Sequence, residues 1–177
     1  FFSREGDDGE PGLRDPQLGA LHAILAHRSI ESTEPITIVM PTGTGKTETM
    51  LALLVHEGFE CLLVVVPTAQ LREQIGTKFV ELGVLKRSGV IGQGALYPIV
   101  GFLEHRPRSV ADVDTFFGAC QVVVTTMAVL GGCAEDVQQR IAERCGHLFI
   151  DEAHHISAPT WRRFRELFTE KPICQFT

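Results

Sequence analysis

With 177 residues, 44% of them hydrophobic and 21% charged, the chain has the balance of one water-soluble domain built on a single filled core. Its net charge of −6 supplies no bulk attraction to phosphate, which argues against a passive nucleic-acid binder and less against a motor that grips through a few placed contacts. The longest wholly aliphatic run, Leu62 to Val66, is far short of the roughly 18 residues that span a bilayer, five cysteines form no C-x-x-C pair, and the histidines are scattered apart from the His154-His155 pair, so a membrane protein, a disulfide scaffold and a zinc site are set aside and reduced thiols in the cytoplasm are expected.

Residues 1–12 are polar, rich in Gly, Asp and Glu, and read as a linker or frayed start, which leaves 13–177 as the domain. Asp15-Pro16 is a helix-start signal, and Leu18, Leu21 and Leu25 recur at helical spacing, predicting a first helix to about Arg28. Ile36 to Met40 reads as a short buried strand, Pro41 to Thr47 as a Gly-rich turn, and Glu48 to His56 as a helix stopped by Gly58. The alternation continues with strand Cys61–Val66, helix Ala69–Leu82 and a short strand Gly89–Gly92. Residues 93–119 break the rhythm with Tyr97, Pro98, Arg106, Pro107 and Arg108 and read as a helical excursion or surface insertion. Strand Val122–Thr126, helix Glu135–Cys145, strand Leu148–Asp151, helix Pro159–Thr169 with Trp161, Phe164 and Phe168 on a core-facing side, and a last strand from Ile173 complete the order. Apolar strands without polar alternation, separated by helices, imply a sheet covered on both faces: an α/β, doubly wound, mostly parallel fold.

Two segments carry chemistry. Met40-Pro41-Thr42-Gly43-Thr44-Gly45-Lys46-Thr47 sits between a predicted strand and a predicted helix, the context a phosphate-binding P-loop requires. Its glycines let successive backbone N–H groups of Thr42, Gly43, Thr44 and Gly45 curl toward a phosphate, and the helix start adds partial positive charge. Lys46 would reach the β- and γ-phosphates of ATP, and the Thr47 hydroxyl would ligate Mg²⁺. Met40 stands where the general pattern has Gly or Ala, but G-x-G-K-T is intact. In the second segment, Leu148-Phe149-Ile150-Asp151-Glu152, two carboxylates follow an apolar strand at the end where parallel sheets present ligands. Asp151 would hold Mg²⁺ through its water shell and Glu152 would polarise the attacking water; the plain alternative is a solvated helix start.

These residues resemble motifs I and II of superfamily 2 helicases and translocases, most like the DEAH-type branch containing restriction-enzyme motor subunits, with Asp151-Glu152-Ala153-His154 as the box. Leu13-Arg14-Asp15-Pro16-Gln17 is similar to the adenine-reading segment ahead of the P-loop, which makes Arg14 and Gln17 candidate nucleotide contacts; the alternative is that they only cap the first helix. The segment from Val66 to Gln74 resembles motif Ia and Val124-Thr125-Thr126 the following threonine motif, which implies contacts from Thr68, Arg72 and Thr126 to a nucleic-acid backbone. For Thr68 and Thr126 the alternative is a hydroxyl bonded to its own backbone, and for Arg72 a solvated helix residue. The end of the chain, Gln175-Phe176-Thr177, looks like the start of the motif that couples hydrolysis to movement, with His154 and Thr177 as the coupling pair. The resemblance implies a RecA-like first motor domain that hydrolyses ATP with Mg²⁺ on DNA or RNA, DNA being preferred, and works with a second RecA-like domain outside this sequence that brings an arginine finger. A switch or assembly ATPase acting on a protein partner is the alternative.

Overall fold

The computed structural model describes residues 12–30, 34–152 and 159–177, the side chains of 159–161 excepted. Apart from Gly12, the expected N-terminal linker lies outside the described residues, as does His154. Along the chain run α1 (Asp15–Ser29), β1 (Ile36–Ile38), α2 (Lys46–Glu57), β2 (Leu62–Val66), α3 (Ala69–Glu81), β3 (Val100–Leu103), α4 (Val110–Gly118), β4 (Val122–Thr126), α5 (Met127–Gly131), α6 (Glu135–Arg144), β5 (His147–Asp151), α7 (Pro159–Glu166) and β6 (Ile173–Phe176).

The six strands form one sheet in the order β1-β6-β5-β2-β4-β3, and every pairing is parallel. Strand side chains alternate between faces, so an unbroken apolar run such as Leu62–Val66 feeds two cores at once. Leu62, Val64 and Val66 join Phe149 and Phe176 under α1, α2 and α3, where Leu21, Ile24, Met50, Leu53 and Phe79 pack. Leu63 and Val65 join Val123, Leu148 and Ile150 on the opposite face, against Val113, Phe117, Ile141, Phe164 and Phe168. Phe149 and Phe176 meet edge-on with ring centroids 5.7 Å apart, locking the centre of β5 to β6.

Two expectations change. Residues 89–92 form part of a turn rather than a strand, and the strand of that region is β3, Val100–Leu103, inside the segment read as an insertion. A run of four residues that includes a glycine carries little β signal of its own. It is a strand because it pairs with β4 at the edge of the sheet, Val100 opposite Val122 and Leu103 opposite Thr125. The same segment holds α4, opened by a capping box in which Ser109 Oγ accepts from the Asp112 N–H and the Asp112 carboxylate accepts from the Ser109 N–H.

Because all strands run the same way, their C-terminal ends share one edge. That edge collects the loop after β1, Thr68 after β2, Thr126 closing β4, Asp151 closing β5 and Thr177 after β6.

Candidate nucleotide-binding site

The loop between β1 and α2 is shaped by two glycines in backbone conformations that L side chains rarely adopt, Gly43 at φ 83° and Gly45 at φ 95°. Thr44 closes the turn by donating its N–H and its hydroxyl to the Pro41 carbonyl, at 3.2 and 2.6 Å. Gly45 is the N-cap, so Lys46 and Thr47 open α2 and the free N–H groups of its first turn face the loop's concavity. The loop is also stitched to the end of the chain: Thr177 N donates to Ile38 O at 3.1 Å and Met40 N donates to Thr177 O at 2.9 Å. Thr177 thus sits one hydrogen bond from the start of the P-loop.

Arg14 and Gln17 converge on this loop. Arg14 Nη1 donates to the Gly43 carbonyl at 3.3 Å. Gln17 is buried at the start of α1, where its Oε1 accepts from Arg14 N at 2.8 Å and so does cap the helix, while its amide nitrogen lies where a side chain on Gly45 would begin. A Cβ added to Gly45 would fall 1.9 Å from Gln17 Nε2, so the glycine is required twice, by its dihedral and by its neighbour.

At the end of β5, Asp151 is buried and in register with Phe176 of β6. Glu152 follows in the left-handed region at φ 53°, a conformation that costs a side-chain-bearing residue about 1–2 kcal/mol. That turn carries its carboxylate to the P-loop, where Lys46 Nζ donates to Glu152 Oε1. The side chains of Lys46 and Glu152 are 15% and 27% exposed, so the ion pair is shielded yet reachable. Thr47 and Asp151 offer hard oxygen donors, a hydroxyl and a carboxylate, which suits Mg²⁺ completed by water and phosphate oxygens. Among the described residues no group of three or more His, Cys, Asp or Glu side chains could hold a metal by protein ligands alone.

A cleft of about 730 Å³ opens over the start of α2, lined by Leu13, Arg14 and Gln17 on one side and by Thr42, Gly43, Gly45, Lys46 and Thr47 at its floor. Further wall comes from Gln74 and Lys78 of α3 and from Val84, Arg87 and Ser88 of the turn after it, of which only Gln74 lies in a segment that the sequence singles out. Only the packing of α3 against α2 brings them there.

The three candidate nucleic-acid contacts fall on the C-terminal side of the sheet but differ in availability. Thr68 is the exposed N-cap of α3, its Oγ1 accepting from Leu71 N at 3.2 Å, and Thr126 is the buried N-cap of α5, accepting from Val129 N at 3.3 Å. Both hydroxyls therefore do bond their own backbone, while each retains its O–H as a donor. Arg72 is no solvated helix residue: it is buried, its Nε and Nη2 held by Glu73 Oε1 at 3.0 and 2.8 Å, with Glu104 Oε1 3.5 Å from Nη2. A contact from Arg72 to phosphate would have to draw it off two carboxylates.

A family model described as the res subunit of type III restriction enzymes matches residues 10–177. No curated protein sequence matches the chain. Among solved structures, the UvsW helicase from bacteriophage T4 is similar with a TM-score of 0.64 and 15% identity, over 97% of this chain and 54% of that one. The DUF1998 helicase MrfA is similar with a TM-score of 0.55 and 17% identity, over 94% of this chain and 27% of that one. At such identities the likeness is one of fold, an all-parallel RecA-like domain, and this chain spans about half the length of the first structure and about a quarter of the second.

Proposed function

The chain belongs to the family of the type III restriction enzyme res subunit, and from that premise we propose that it is the first, ATP-binding motor domain of a nucleic-acid-dependent ATPase of the helicase or translocase kind. The observation that carries the reading is the meeting of three distant segments on one loop: Arg14 and Gln17 at the start of α1, Glu152 just after β5 and Thr177 after β6 all contact the P-loop or its first residue. A loop that only turned the chain would not need a strained acidic residue delivered to its lysine.

In this reading the backbone N–H groups of residues 42–47 cradle the phosphates and Lys46 neutralises charge on the β- and γ-oxygens. Thr47 and Asp151 are the residues that would hold Mg²⁺, which when bound supplies further positive charge to the phosphates. Glu152 orients the attacking water and takes its proton, once the incoming phosphates have drawn Lys46 away from it. Arg14 and Gln17 stand at the base end. His154 and Thr177 pass the state of the nucleotide to the nucleic-acid side, where Thr68 and Thr126 donate to a phosphate backbone without reading sequence. The finer assignment to the DEAH-type branch rests on Asp151-Glu152-Ala153-His154. DNA is the preferred track, and a second RecA-like domain completes both the nucleic-acid cleft and the γ-phosphate site with an arginine.

ATP turnover by the full-length protein carrying this chain, measured with single- and double-stranded DNA and RNA at matched salt, tests the proposal. Stimulation by one of these, abolished by Lys46→Ala, is expected. Turnover that ignores all four nucleic acids and responds to a protein partner would make this a switch or assembly ATPase instead.

A further inference from the structure

The outer wall of the cleft is built with the same care as its floor. Lys78 Nζ lies 3.3 Å from Glu48 Oε1, and Glu48 directly follows Thr47 in the first turn of α2. An unpaired carboxylate there would oppose any anion seated on the P-loop, and Lys78 neutralises it. Arg87 stands exposed at the rim, on a turn that is firmly held. Leu82 enters the turn in the left-handed region at φ 54°, and both Leu82 and Leu85 are buried in the core beneath it. Ser88 Oγ donates to Val84 O at 2.9 Å, and Gly12 N donates to Ser88 O at 2.7 Å. That last bond ties the rim carrying Arg87 to the segment carrying Arg14 and Gln17, and both line the one cleft.

The backbone donors and Lys46 claim the phosphates at the floor, and a space of about 730 Å³ is of the size that takes a whole nucleotide rather than a phosphate group alone. Between the rims the lining mixes apolar surface from Leu13 and Val84 with the hydrogen-bonding groups of Arg14, Gln17 and Arg87, chemistry that a nucleobase can use. Resting on the nucleotide reading of the P-loop, we infer that Arg87 is a binding residue for the nucleoside end of the ligand, laying its planar guanidinium on the face of the base opposite Arg14 and Gln17, while Lys78 cancels the charge of Glu48 beside the phosphates. A guanidinium can lie flat on a ring while its edge N–H groups stay solvated, whereas a lysine ammonium meets a ring only as a point charge.

The test is direct binding of ATP, ADP and inorganic tripolyphosphate to the 177-residue chain by calorimetric titration, with circular dichroism confirming that each variant is folded. Arg87→Ala weakens ATP and ADP by the same factor, on the order of tenfold, and leaves tripolyphosphate unchanged. Arg87→Lys, which keeps the charge and loses the plane, stays close to Arg87→Ala, and Lys46→Ala weakens all three ligands. Tripolyphosphate weakening in step with ATP, full recovery by Arg87→Lys, or unchanged ATP affinity in Arg87→Ala would each overturn the inference. Wild-type chain that binds none of the three ligands would instead sink the nucleotide reading beneath it.

Discussion

Replacing Glu152 by Gln separates two effects that the geometry sets in opposition. Glutamine keeps the length and shape of the side chain and the same left-handed backbone, so the strain at φ 53° is unchanged. What disappears is the negative charge that holds Lys46 and the basic oxygen that would take a proton from water. On the proposed function the Lys46 ammonium must leave Glu152 for the phosphates of ATP, and a partly solvated pair of this kind contributes about 0.2–1 kcal/mol. Removing it should therefore tighten ATP binding slightly, by at most about fivefold. Hydrolysis should fall by a factor on the order of 10²–10⁴, the range set by loss of a positioned general base. Titration with a fluorescent ATP analogue gives the first quantity, and phosphate release by the full-length protein at saturating ATP gives the second. Weaker ATP binding in the variant would show that Glu152 holds the nucleotide rather than restraining Lys46. Turnover close to that of the wild type would make Glu152 a mere turn residue and send the search for the base elsewhere.

Gly45→Ala must place a Cβ at φ 95° and within 1.9 Å of Gln17 Nε2, so it should cost about 1–2 kcal/mol in denaturant unfolding and also weaken ATP binding, because Gln17 has to leave the loop. Unchanged affinity would separate Gln17 from the site. Gly76→Ala tests packing on the side of α3 that meets β3: its Cβ would come within 2.2 Å of the Phe102 ring, and a loss of about 1–3 kcal/mol in chemical denaturation is expected, with nucleotide binding intact. His147, against the Phe59 ring, is held neutral by burial and secondarily by the charges of Arg28 and Lys171, which lower its pKa from 6.5 to about 4. The unfolded chain takes up a proton below pH 6.5 that the folded ring refuses until about pH 4, so its contribution is complete above 6.5 and is lost as the pH falls between those values. Allowing for the solvent that still reaches the ring, the loss is on the order of 1–2 kcal/mol, and His147→Gln should remove it from unfolding curves taken across that window. His154→Ala should leave ATP binding unchanged and reduce the stimulation of turnover by nucleic acid in the full-length protein; full stimulation would remove His154 from the coupling path.

What the sequence determined by itself were the features set by neighbouring residues. The P-loop is legible because the glycines that permit its dihedrals, the lysine and the threonine are consecutive, and the α/β class because apolar runs and helical periods alternate along the chain. The acidic pair at the end of β5 was legible for the same reason, though not the left-handed turn that swings Glu152 onto Lys46. Tertiary structure alone decided the rest. β3 is a strand only because β4 offers it partners, and Arg72, which looks like a surface cation in sequence, is buried within reach of Glu104, the residue after β3. Lys78 and Arg87 acquire a place in the cleft only when α3 and the turn beyond it fold back over α2, and nothing local to either residue records that contact. A dihedral preference is a property of a few adjacent residues, whereas the face a helix turns toward its neighbour depends on burying apolar surface across the whole sheet.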